Sequence, residues 1–487
     1  MTILRRTLKS ITWQGLNVLA KFGFLLIGTA AIGIGALLGY LINSPESAEL
    51  AVSIVVLLAL LLIIMNNPLN GMLVWLFFTP FIGSWINIPL GAGIPDLELD
   101  RFAVAFLLIL MLAKASIGQF RFSRIGLVEI SIAAMTLGIA LSAPLSRNPN
   151  DVLQSALSMY FIPLSLYFFA KNLVKNKDDL HKLLLVIAIL GFVLASYVIY
   201  EQATGNILLL AKGREEKTDT YYTESLRMIR GILGRPGHFG RVLTTAIPIA
   251  LYLFFESKTI ARKSLLVGML VTQASGMFLT YNRTSWYALL IGLSILPFFY
   301  PQFRKVYLII VLLAAVALWA TWDEVNDSAV VEERVNLRTD SYNGRTPRWE
   351  AGWAMWKVKP IRGWGFGRYE EESGRFRTDG VRWNFIAIEN DYLHILVGSG
   401  LIGFLPYLLF LLTPLVQSLR LFIRARTRHW TGFIRPETLA IYWAVILPLV
   451  ITSYTQIQTK PIVKMLPFAV AGAVVGSHER LLCSKTE

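Results

Sequence analysis

Apolar runs long enough to cross a bilayer recur along this chain, and they constrain its fold more than any other feature. "ELAVSIVVLLALLLIIM" (49–65) and "HKLLLVIAILGFVLASYVIY" (181–200) are two of them. Inside lipid no water satisfies backbone N–H and C=O groups, so runs of about 17–25 apolar residues close their hydrogen bonds internally as helices. Fourteen candidate runs can be marked from 22–42 to 461–478, with 284–300 and 391–418 among them. The expected fold is an all-α polytopic membrane helical bundle of about 12–14 transmembrane helices. Composition agrees, with 55% of residues hydrophobic, 16% charged and a mean hydropathy of +0.56, outside the range of a chain that must present a charged surface to water.

The single cysteine, Cys483, excludes a disulfide framework, and five histidines leave little room for a histidine-built metal site. No metal and no cofactor are therefore expected. The net charge of +15 would suggest nucleic acid for a soluble protein. Here it reads as cationic loops held against membrane lipids, and no nucleic-acid partner is expected. Arg5, Arg6 and Lys9, then Lys114, Arg121 and Arg124, then Lys258, Arg262 and Lys263, then Arg420 to Arg435 fall on one side of the bundle. The alternate short loops carry few cations, so the positive-inside rule places both termini in the cytoplasm. The basic start "MTILRRTLKSITWQGLNVLAKFGF" has no small-residue cleavage site and reads as uncleaved. The chain then divides into N-terminal spans (1–201), an outer loop (202–241), further spans (242–322), a large helical extracytoplasmic loop (323–390) and C-terminal spans (391–487).

Candidate functional residues gather on the outer side. "RMIRGILGRPGHFGR" (227–241) brings Arg235, His238 and Arg241 together with Gly234, Gly237 and Gly240 at every third position. Glycine and proline bend a backbone for close approach, and guanidinium forks suit phosphate. Arg283, in "TYNRTSWYALL" (280–290), stands between two apolar runs. Each arginine has a plainer reading, as a side chain snorkelling to headgroups, and the residues alone leave both readings open. "TPRWEAGWAMWKVKP" (346–360) reads as an amphipathic helix opened near Pro347 and stopped by Pro360, with Trp349 on its aromatic face. "GWGFG" (363–367) lacks the lysine of nucleotide loops and reads as a tight turn. Glu389, Asn390, Asp391 and His394 stand at the mouth of the next span. Asp391 is expected to cap the helix and Glu389 to do chemistry. Glu129, inside a span near its cytoplasmic end, is expected to be solvated.

Three of these stretches, "FLTYNRTSWYALLIGL", "NGRTPRWEAGWAMWKVKPIRGWGFG" and "ENDYLHILVGSGLIGFLPYL", resemble in order and spacing the O-antigen ligase and polysaccharide polymerase superfamily. The resemblance covers about Gly234 to Tyr407. It implies a GT-C-like integral-membrane glycosyltransferase, metal-independent and inverting, that uses an undecaprenyl-pyrophosphate-linked glycan donor and a glycan or lipid-borne acceptor, with a chain-length regulator as a possible partner. By the same resemblance Arg283, Arg235 and Arg345 would hold the pyrophosphate, joined by Arg241, which abuts the next span. Glu389 would act as base with His238 in reserve, and Asn390 and Trp349 would meet the acceptor sugar. Many ligases carry His-Asn where this chain has Glu389-Asn390, which leans toward a polymerase or another acceptor. The competing reading is a lipid-linked oligosaccharide flippase or polysaccharide transporter, which would carry charge along the interior of several spans.

Overall fold

The computed structural model describes residues 45–82, 87–88, 97–145, 149–208, 221–223, 226–320, 345–378, 384–385, 387–427 and 434–483. The basic N-terminal stretch and the candidate span 22–42 lie outside them. The described chain is helical almost throughout, with two short two-stranded ladders. It forms two compact units, which divide near residue 120.

The first unit contains α1 (Pro45–Asn66), α2 (Pro68–Ile82), a ladder of β1 (Asn87–Ile88) with β2 (Leu97–Glu98), and α3 (Leu99–Ser116). Proline opens α2, where its missing N–H is no loss, and the Asn67 side chain accepts from Leu69 N at 3.0 Å. Asp100 on α3 is buried and accepts from Trp75 Nε1 at 2.7 Å and Thr79 Oγ1 at 2.8 Å.

The second unit opens with α4 (Leu127–Ser142) and α5 (Pro149–Ala156), which passes through a π-helical turn, Leu157–Phe161, into α6 (Ile162–Leu173). Next come α7 (Lys177–Thr204), the ladder β3 (Tyr221–Thr223) with β4 (Leu226–Arg227), α8 (Pro236–Glu256), α9 (Ile260–Leu279), α10 (Arg283–Leu293), α11 (Leu296–Phe299) and α12 (Pro301–Ala320). A helix over 345–358, α13, and α14 (Arg368–Glu372) lead to α15 (Asp391–Thr427), α16 (Pro436–Thr455) and α17 (Pro461–Cys483). Among the described residues six helices are long and apolar enough to cross a membrane, and the protein is a multi-pass membrane protein. The most enclosed of the six is α8, with 83% of its apolar stretch buried by α7, α9, α10, α16 and α17. Gly472 and Gly476 let α17 close onto the backbone of α6 at Tyr167 and Lys171, the small-residue contact expected between membrane helices.

Two of the runs expected to cross as single spans are interrupted. The run 284–300 breaks between α10 and α11. The run 391–418 breaks at Gly400, whose φ of 61° and ψ of −158° only glycine adopts without strain. A broken helix leaves backbone groups without partners, and here the loop after α13 supplies them. Trp364 N and Gly365 N donate to Val397 O and Gly398 O at 2.8 and 2.9 Å, while Leu401 N and Ile402 N donate to Pro360 O and Ile361 O at 2.9 and 3.2 Å. The "GWGFG" turn, with Gly363, Gly365 and Gly367 all at positive φ, thus docks the segment after α13 into the kink of α15. A Cβ at position 400 would fall on the Ile361 carbonyl. Gly400→Ala is therefore expected to cost at least about 1–3 kcal/mol from backbone strain alone. Thermal unfolding in detergent checks this, and an unchanged midpoint would contradict it.

Glu129 is not merely solvated. It bonds the fully buried Lys171 ammonium at 2.7 Å, and Glu479 on α17 bonds the same ammonium at 2.8 Å. The sequence reading failed because the partners lie far apart along the chain and meet only when α4, α6 and α17 pack.

Candidate functional site

The N-termini of α8 and α10 lie side by side. Gly237 leaves room for the side chains of Asn282 and Gln456, and Gly240 backs onto Ser285. Asn282 caps α10 by accepting from Ser285 N at 2.9 Å, and proline opens α8 at Pro236. Each helix start carries an exposed arginine, Arg235 and Arg283, with no hydrogen-bond or ion-pair partner among the described residues. Two positive helix ends and two open guanidiniums form an anion-attracting surface.

Arg241 lies one turn deeper and is buried. Its two terminal nitrogens donate to the side-chain oxygens of Gln458 and Gln456. Both partners are neutral, so this guanidinium keeps its charge uncompensated by a contacting carboxylate. His238 is also buried. Its Nδ1 is 2.8 Å from Leu233 O, which can only accept, so Nδ1 carries the proton. Nε2 is then left to accept from the Thr459 hydroxyl at 3.0 Å. The nitrogen that would serve as a base is thus already engaged, and His238 ties α8 to the segment "QIQTK" (456–460) between α16 and α17.

That segment is a hub the sequence reading missed. Besides holding Arg241 and His238, it donates from Gln458 N to Asp391 Oδ1 at 3.4 Å, and Ile457 enters an apolar core with Ala351, Met355 and Ile388. The signal was present in "QIQTKPIVK" (456–464), where Gln456, Gln458 and Lys464 interrupt apolar sequence around a predicted span, and such interruptions are functional candidates.

Asp391 does not cap α15. Asn390 does, its Oδ1 accepting from Leu393 N at 3.0 Å with the residue 6% exposed. Asp391 points into the bundle and forms a fully enclosed ion pair with Lys464 at 2.7 Å. The Tyr160 and Tyr407 hydroxyls each donate to it at 3.4 Å, and the Lys464 ammonium also sits 4.1 Å over the Tyr160 ring. His394 faces the Tyr160 hydroxyl at 2.9 Å.

Glu389 is the reachable carboxylate. Arg345 Nε meets one of its oxygens at 3.1 Å and Arg348 Nη1 the other at 3.0 Å, with all three side chains partly exposed. Its φ of +51° is unusual for a residue with a Cβ, a strain of about 1–3 kcal/mol that the fixed neighbours Ile388 and Asn390 hold in place. Trp349, on the same helix as both arginines, packs its ring 5.2 Å from that of Tyr454, which is exposed. The Trp349 indole N–H is enclosed and has no partner among the described residues. The helix itself is as amphipathic as its sequence suggests, with Ala351 and Met355 buried and Trp353 exposed.

Residues 268–408 match the family described as O-antigen ligase. This match supports the O-antigen ligase and polymerase superfamily for that segment. A curated protein of Haemophilus influenzae, described as uncharacterized, is 26% identical over 202 residues, which is 36% of this chain and 48% of that protein. The chain thus spans about half the length of this relative. The matched segment holds Arg283, Arg345, Arg348, Trp349, Glu389, Asn390 and Asp391. Arg235, His238 and Arg241 precede it, and Gln456, Gln458 and Lys464 follow it. The site is therefore completed from both flanks of the matched segment. Among the described residues no three His, Cys, Asp or Glu side chains converge as a metal site requires.

Proposed function

We propose that the protein transfers or polymerises glycan from an undecaprenyl-pyrophosphate-linked donor onto an acceptor hydroxyl at the outer face of the cytoplasmic membrane. The observation that carries this reading is the pair of abutting helix N-termini with the open Arg235 and Arg283 above the uncompensated Arg241. A diphosphate needs this kind of concentrated, preorganised positive charge both when bound and when leaving. Guanidiniums supply that charge in the transition state, so the transfer runs without a metal.

Glu389 removes the acceptor hydroxyl proton, and the oxygen attacks the anomeric carbon opposite the departing diphosphate, which inverts configuration. Trp349 and Tyr454 offer aromatic faces for a sugar ring. Asn390 serves by holding the backbone beneath Glu389, because its side chain is committed to the cap.

The flippase reading needs a polar path through the bundle. Along α17 the Lys464 pair and the Glu479 pair are separated by Phe468, Ala469, Val470, Ala471, Ala473, Val474 and Val475, all buried and apolar. That dry interval favours transfer over transport. Cells with a chromosomal deletion are expected to lose long surface polymer and accumulate lipid-linked units outside the cytoplasmic membrane, and Arg241→Gln is expected to reproduce the defect. Glycan analysis with surface labelling of the lipid-linked pool checks this. Units trapped on the cytoplasmic face would favour the flippase, and unchanged polymer would end both readings.

A further inference from the structure

The stretch Glu389–Asn390–Asp391 contains two carboxylates held in opposite ways. Asp391 and Lys464 are both 0% exposed and 2.7 Å apart, an ion pair that no external ligand reaches. Glu389 is 26% exposed, and its partners Arg345 and Arg348 are 37% and 30% exposed. Pairs open to water exchange readily, because solvent screens them and competes for their donors. The second group also carries surplus charge, since two guanidiniums face one carboxylate.

Donor capacity remains as well. Each guanidinium has five N–H groups, and Glu389 is met by Nε of Arg345 and Nη1 of Arg348. Phe385 braces the Arg348 guanidinium, its ring centroid 5.7 Å away. The arginine heads are therefore set up to take an anion with more oxygens and more charge than a carboxylate.

We propose that Glu389 is a resident anion, holding Arg345 and Arg348 until the donor diphosphate displaces it. The exchange rests on the transferase reading above and adds an order to it. While clamped between two guanidiniums Glu389 has both oxygens engaged, so neither is free to meet an acceptor hydroxyl. Once the diphosphate takes the arginines, the carboxylate oxygens are released and can accept the hydroxyl proton. The acceptor hydroxyl then gives its proton to Glu389, and its oxygen pair forms the new bond to the anomeric carbon. The electron pair of the breaking sugar–phosphate bond leaves on the diphosphate. The base is thereby armed only when a donor is present, which protects the glycan carrier from idle hydrolysis.

The test is binding of inorganic pyrophosphate to the full-length protein in nanodiscs, measured by calorimetry for the wild type, Glu389→Gln, Arg345→Ala/Arg348→Ala, the triple variant and Arg283→Ala. Removing the resident anion is expected to tighten pyrophosphate binding in Glu389→Gln by roughly tenfold. The gain should vanish in the triple variant, where the arginines are gone. Equal or weaker binding by Glu389→Gln, with Arg283→Ala still weakened, overturns the exchange and leaves the donor site standing. Binding unaffected by Arg283→Ala and by loss of the two arginines overturns the donor site itself. A gain that persists in the triple variant also overturns the exchange, because the carboxylate would then act by general charge rather than by occupying these arginines.

Discussion

Lys464→Met is expected to be the most damaging single substitution for stability. It leaves the Asp391 carboxylate, 0% exposed, without its cation, and removing one member of a buried pair costs about 3–5 kcal/mol. The tyrosine hydroxyls at 3.4 Å are too distant and too neutral to take over the charge. Two consequences should follow together. The variant should yield little folded protein in the membrane fraction, and what is recovered should unfold at a markedly lower temperature in detergent. Adding Asp391→Asn to it removes the stranded charge, so the double variant should recover much of the loss. A wild-type unfolding midpoint for Lys464→Met would show that the pair holds nothing together. The double variant also separates stability from catalysis, since it keeps Glu389, Arg283 and Arg241.

Arg283→Ala is expected to have the opposite profile. The side chain is exposed and has no partner among the described residues, so folding and membrane yield should stay within about 0.5 kcal/mol of wild type. Turnover of a polyprenyl-pyrophosphate-linked donor by reconstituted protein should fall by about 10²–10³-fold, the range seen when one preorganised donor to developing negative charge is lost. Arg283→Lys should recover only part of that loss, because an ammonium restores the charge but not the planar fork. Full transfer activity in Arg283→Ala would make this arginine a headgroup contact and move the donor site elsewhere. Reading both variants in one membrane preparation excludes a trivial loss of expression, since only Lys464→Met should lower the amount of protein.

Both sites come from one short region of the fold, yet they were not equally visible beforehand. Arg235, Arg241, Arg283 and Glu389 stood out because polar groups at the ends of apolar runs are costly unless used. Asp391 was visible too but misassigned, because a carboxylate and an amide at adjacent positions before a helix are equivalent as caps on paper. Backbone geometry separates them, turning Asn390 toward Leu393 N and Asp391 toward Lys464. Arg348 was overshadowed by Arg345, since nothing in the spacing shows that residues three apart on α13 grip the two oxygens of a single carboxylate.

What the sequence determined by itself was the class of fold and the inventory of charge. Apolar runs without water to satisfy their backbone can only be helices, and arginines at their ends are visible without coordinates. Tertiary structure alone decided which of those charges meet. Gln456 and Gln458 lie more than two hundred residues from Arg241, and Lys464 lies more than seventy from Asp391, so no local pattern ties them. The kink at Gly400 is of the same kind. A glycine is permissive anywhere, and only the loop carbonyls and amides that fill the break make this one indispensable. Local backbone physics chooses elements, whereas the neutralisation of buried charge is a three-dimensional condition that is set only once the helices have packed.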